Sequence, residues 1–95
     1  MTDALARIYA LLDPRANEIR YVGLTTLALS TRLKAHVAHK GKTHRAKWIQ
    51  KLVRQGVRPS IRLLEEVALG EGFEAEKRWI KQFRHSGYRL VNLTD

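Results

Sequence analysis

Glu76 is the residue whose type and position most demand an explanation. Between Phe73 and His85 the apolar residues Phe73, Trp79, Ile80 and Phe83 gather on one side of a helix at about 100° per residue, and Glu76 falls among them. A carboxylate in a core-facing stripe costs several kcal/mol unless it is paired, protonated or bound to a cation. Two readings are open: a structural ion pair, with Arg32 as a candidate partner, and a ligand for a divalent metal. Arg32 and His36 stand four residues apart and border the stripe Leu29, Leu33, Val37, a position that faces the rim of a cleft. Their plain readings are a snorkelling arginine and a half-buried histidine satisfied by backbone. Tyr9 and Tyr21 sit on two short β-forming runs, and the right register brings them onto one face, where they are either cross-strand packing or part of a site.

The elements that must position these side chains follow from local chemistry. Ile8 to Leu12 and Ile19 to Gly23 flank Asp13-Pro14-Arg15-Ala16-Asn17, which predicts a hairpin closed by a Pro/Asn turn. Met1 to Ala6 reads as a short leading segment with one frayed turn. Thr25 or Thr26 is expected to cap a helix through about Ala38. Thr43 caps a second helix through Gln55, ended by Gly56, with Trp48, Ile49, Leu52 and Val53 as its core face. Ser60 to Val67 alternates as a strand, with Ile61, Leu63 and Val67 on one side and Arg62, Leu64 and Glu66 on the other. Leu69 to Gly72 is a loop, Phe73 to His85 the third helix, and the chain ends in an extended tail packed through Leu90, Val91 and Leu93 and anchored by Asn92. The order is ββααβα, an α+β fold with a three-stranded antiparallel sheet.

Ninety-five residues at 44% hydrophobic content suit one domain over 1–95 with a single core. There is no Cys, so neither disulfides nor thiolate zinc ligation stabilises it, and an intracellular, cytoplasmic setting fits. Charges at Asp3, Arg7, Asp13, Arg15, Glu18 and Arg20 speak against a signal peptide, and no apolar run approaches a membrane span. Eighteen Lys and Arg against nine Asp and Glu give a net charge of +9, which favours a polyanionic partner. Lys47, Lys51 and Arg54 form a ridge on the second helix, with Lys40, Lys42, His44 and Arg45 at its start, and no acidic residue lies between Lys34 and Arg58. With no internal counter-charge, the ridge reads as a phosphate-contacting surface for nucleic acid.

The ordered set Ile8-Tyr9, Tyr21-Val22-Gly23 with Thr25, Arg32, His36, Glu76 before Trp79-Ile80, and Asn92 resembles the GIY-YIG nuclease family over essentially the whole chain. Arg7 stands where the first motif has glycine, and Val22 where the second has isoleucine. The resemblance implies a divalent-metal-dependent DNA endonuclease. In it Glu76 holds one Mg²⁺ or Mn²⁺ ion, and Tyr9 orients or deprotonates the attacking water, its pKa lowered by nearby positive charge. Arg32 stabilises charge on the phosphate, Tyr21 and His36 support hydrogen bonding or proton transfer, and Asn92 holds the site together. The competing readings are a non-catalytic nucleic-acid-binding module that keeps the fold, and a scaffold for an acidic protein.

Overall fold

A computed structural model describes residues 4–92. Strands β1 (Leu5–Asp13), β2 (Glu18–Thr25) and β3 (Ser60–Ala68) form an antiparallel sheet in the order β2-β1-β3. Helices α1 (Leu29–Ala38) and α2 (His44–Arg54) lie between β2 and β3 in sequence, and α3 (Gly72–His85) follows β3, as the ββααβα order anticipates. Tyr9 and Leu11 point into a cluster with Trp48, Ile49 and Leu52 of α2, onto which Leu29 and Leu33 of α1 pack. Ile8 points the other way, against Ala75 and Ile80 of α3. The central strand is therefore covered on both sides. That is why Ile8 to Leu12 reads as a continuous apolar run without alternation.

Several boundaries differ from the sequence reading, each for a local reason. Leu5 and Ala6 belong to β1, paired with Ala68 and Val67; Met1 to Asp3 lie outside the described residues. Thr25 does not cap α1: it is the last residue of β2, opposite Arg7, and its hydroxyl accepts from the Leu27 N–H at 3.0 Å, so the helix starts after Ala28. Thr43 does cap α2, accepting from Ala46 N–H at 3.1 Å. Gly56, at φ 76°, closes it: Gly56 N–H reaches the Val53 carbonyl and Val57 N–H the Leu52 carbonyl. That turn folds Val57 onto the core and leaves Val53 exposed.

In β3 the register slips between Ile8 and Tyr9, whose partners are Glu65 and Leu63, so Leu64 is an extra residue. The bulge interrupts the alternation: Ile61 packs toward α2, Leu64 and Val67 toward α3, and Leu63 is exposed. Leu69 to Glu71 form a single 3-10 turn. Phe73 is 74% exposed, not part of the stripe. The first turn of α3 meets the sheet through Gly72, where a β-carbon would come within 2.5 Å of the Leu24 side chain, and through Ala75, so the approach is too close for a ring.

Candidate active site

Tyr9 faces Gly23 and Leu11 faces Tyr21 across the hairpin, which puts both tyrosines on the α1/α2 side of the sheet with ring centroids 6.3 Å apart. Gly23 is required there. A β-carbon on it would lie 2.5 Å from Cζ of Tyr9 and 2.8 Å from Cε2 of Tyr21, so the bare backbone is the floor on which the Tyr9 ring rests.

Above that floor α1 delivers Arg32 and His36. The Tyr9 hydroxyl lies 2.6 Å from Nε2 of His36, and Nε of Arg32 donates to the same oxygen at 3.2 Å. His36 is 2% exposed, far from the rim position that helical periodicity assigns it, because it drops onto Tyr9 and packs edge-on against Tyr21 at 5.7 Å. Burial, with the nearby cations Arg32 and Arg45, pushes His36 down to about 4, so its imidazole is neutral at pH 7. Tyr9, fully buried, is pushed up to about 12 by desolvation in spite of the Arg32 hydrogen bond. This reverses the expectation of a lowered phenol. The arrangement that satisfies all three groups has Arg32 N–H donating to the phenol oxygen and the phenol O–H donating to Nε2 of His36.

A stability prediction follows for His36. Its folded value lies below its ordinary 6.5, so as pH falls from about 6.5 to about 4 the unfolded chain takes up a proton that the folded protein refuses. The stability advantage of wild type over His36→Gln, which keeps an acceptor for Tyr9 and does not titrate, is expected to shrink by about 3 kcal/mol across that interval. Urea unfolding of both proteins across the interval measures it. A constant difference would place the imidazole in contact with solvent.

Tyr21 opens onto a cleft of about 300 Å³ lined also by Thr43, Arg45, Glu76, Ile80, Val91 and Asn92. Glu76 thus reaches from α3 to the same space as Tyr21. It is half-buried, makes no ion pair among the described residues, and its carboxyl is raised by desolvation. Arg32, the candidate partner, is engaged with Tyr9 instead. Asn92 donates from Nδ2 to the Val22 carbonyl at 2.7 Å and accepts at Oδ1 from Val22 N–H at 3.0 Å. Val91 N–H adds a bond to the Arg20 carbonyl, so the tail lies along the open edge of β2 and completes the cleft wall. Leu93 lies outside the described residues.

Arg7, in the place of a glycine, has a task of its own. Its guanidinium reaches Glu66 at 3.3 Å and the carbonyls of Leu27 and Thr26 at 3.4 and 3.5 Å, tying the approach to α1, and hence Arg32 and His36, to the sheet.

Among the described residues no three His, Cys, Asp or Glu side chains gather as a metal cage. An unpaired, half-desolvated carboxylate in an open cleft fits a hard cation of the Mg²⁺ type, which keeps most of its waters and takes one or two carboxylates plus substrate phosphate. Lys40, Lys42, Lys47, Lys51 and Arg54 are exposed, the last three along one side of α2. Arg45 is not with them. It is half-buried on the opposite side of the helix, its guanidinium 5.6 Å over the Tyr21 ring. Sequence periodicity missed Thr43 and Arg45 as cleft residues; the one available signal was that Arg45 shares the side of α2 occupied by the apolar residues Trp48, Ile49 and Leu52.

A family model described as the GIY-YIG catalytic domain matches residues 6–89. No curated protein and no solved structure matches the chain.

Proposed function

This chain belongs to the GIY-YIG family of nuclease catalytic domains, and we propose that it is a divalent-metal-dependent endonuclease that hydrolyses phosphodiester bonds in DNA. The observation that carries this reading is the convergence of Tyr21, Arg45 and the unpaired Glu76 on one open cleft, backed by the hydrogen-bonded trio of buried Tyr9 and His36 with half-buried Arg32. A module that only binds DNA gains nothing from a half-buried carboxylate that repels phosphate.

In this reading Glu76 holds one Mg²⁺ or Mn²⁺ ion, whose chemistry is to neutralise charge on the scissile phosphate and template the displacement. Tyr21, the tyrosine that reaches the cleft, orients the attacking water through its hydroxyl. Tyr9 stands behind it with no exposed surface and holds Arg32 and His36 in place. Arg32 offers its remaining N–H groups to the phosphate oxygens as charge develops on them. Asn92 keeps the tail on β2 and so keeps the wall opposite Tyr21 closed. As water attacks it gives up one proton to solvent in the cleft and a P–O bond forms, while one bridging P–O bond breaks and the departing oxygen takes a proton back from that solvent. The exposed Lys40, Lys42, Lys47, Lys51 and Arg54 carry the flanking duplex, the last three spread over about 10 Å of α2.

Two experiments test this. Plasmid and branched DNA incubated with pure protein should be nicked with Mg²⁺ and left intact with chelator; intact DNA in both leaves the binding-module reading. The affinity for duplex should fall linearly on a log-log plot against salt, and Lys47→Ala with Lys51→Ala should flatten the slope by about two, one for each phosphate no longer neutralised. An unchanged slope removes α2 from the interface.

A further inference from the structure

The guanidinium of Arg45 is built into the cleft in a way that α2's surface cations are not. Its Cζ lies over the Tyr21 ring, Nη1 reaches the Tyr21 hydroxyl at 3.5 Å, and no carboxylate of the described residues pairs with it. Its Nε is the only buried side-chain nitrogen or oxygen among the described residues that has no hydrogen-bond partner. A buried N–H of a charged group without an acceptor is costly, more so than a neutral one, and the fold holds it beside a cleft wide enough for an anion. The occupant that satisfies it must bring oxygen acceptors and negative charge, and a guanidinium presents two parallel N–H groups to such a group. Glu76 across the cleft is no substitute, since the two make no ion pair.

We propose that Arg45 turns its guanidinium into the cleft to grip the phosphodiester that enters, through Nε, which is buried and unpartnered before the anion arrives, and a terminal nitrogen, and thereby sets that phosphate against the Tyr21 hydroxyl. Arg45 is then a phosphate-binding residue of the site and not one of the cations that hold the flanking duplex. The identity of the anion as a DNA phosphodiester rests on the nuclease reading; the anion site itself does not.

The test separates the two. In metal-free wild-type protein the Arg45 Nε–H signal, assigned through bonds by NMR so that no variant need fold, is followed as inorganic phosphate is added, against sodium chloride at matched ionic strength. It should move saturably with phosphate alone, and equally in Lys47→Ala/Lys51→Ala. Alongside, Arg45→Met, which keeps an apolar stem over Tyr21, should cleave about 100-fold more slowly at saturating DNA, while duplex affinity changes by less than about threefold. Arg45→Lys, retaining charge without the paired N–H groups, should fall between. A signal that ignores phosphate, or responds equally to chloride, overturns the proposal, as does Arg45→Met cleaving at the wild-type rate. A saturable phosphate response in a protein that cuts no DNA keeps the anion site and discards the nuclease reading. Cleavage without a phosphate response does the reverse.

Discussion

Glu76→Gln is expected to abolish Mg²⁺-dependent cleavage while leaving the protein at least as stable as wild type at neutral pH. The two halves of this result have one cause. Desolvation raises the Glu76 carboxyl above its ordinary 4.5, which means that the folded state disfavours the carboxylate. The sign follows. Below its unfolded pKa the residue is neutral in both states and contributes no penalty. As pH rises past about 4.5 the unfolded chain ionises first, and the fold is destabilised until the buried carboxyl has ionised too. Glu76→Gln removes that cost, so its melting temperature should match wild type in acid and exceed it at neutral pH. A stranded partner would give the opposite, a loss of roughly 3 to 5 kcal/mol, but Glu76 has no ion-pair partner among the described residues to strand. Without DNA, added Mg²⁺ should raise the melting temperature of wild type and not of Glu76→Gln. Nicking rates and thermal melts of the two proteins decide it: a variant that melts well below wild type and still nicks DNA would sink the metal role of Glu76.

Where one physical pattern dominates, the sequence is legible. The hairpin, Thr43 and Gly56 as the ends of α2, and Glu76 at a half-buried position on α3 all follow from turn chemistry or helical period. The misreadings share a different origin, the influence of one element on another. His36 is buried because Tyr9 lies beneath it, and Tyr9 lies there because Gly23 leaves room, a relation between three separated segments that no window of residues contains. The β3 bulge at Leu64 shifts which residues face α3, and a bulge has no signature in an apolar pair such as Leu63-Leu64. Arg45 reads as part of the basic ridge because a run of charge along the sequence says nothing of which side of the helix each cation occupies. The same limit hides which tyrosine meets substrate, since the two motifs are alike in sequence and differ only in what covers them.

That difference yields the last expectation: Tyr21→Phe and Tyr9→Phe should fail in different ways. Tyr21 is partly exposed, lines the cleft, and its hydroxyl has only the 3.5 Å contact with Arg45 among the described residues. Removing that oxygen costs the fold little, but under the proposed mechanism takes away the group that orients the water, for which losses of about 10² to 10⁴ in rate are typical. Tyr9 is fully buried, and its oxygen joins His36 at 2.6 Å to Arg32 at 3.2 Å. Phenylalanine there strands Nε2 of a buried imidazole and frees Arg32, a cost of about 1 to 3 kcal/mol in stability, with slower cleavage as a consequence of a displaced Arg32. Pairing Tyr9→Phe with His36→Leu removes the stranded acceptor and should recover part of that stability, whereas no second change at His36 should rescue Tyr21→Phe. The acid side of the rate profile adds an independent check. His36 is neutral down to about 4, so it contributes no limb near 6.5; the limb that appears belongs to Glu76 and should move to lower pH as Mg²⁺ is raised, because proton and cation compete for one carboxylate. Unfolding free energies and single-turnover rates of the two phenylalanine variants distinguish the roles. A stable, inactive Tyr9→Phe beside an active Tyr21→Phe would move the water-orienting role to the buried tyrosine and require the cleft to open around it when DNA binds.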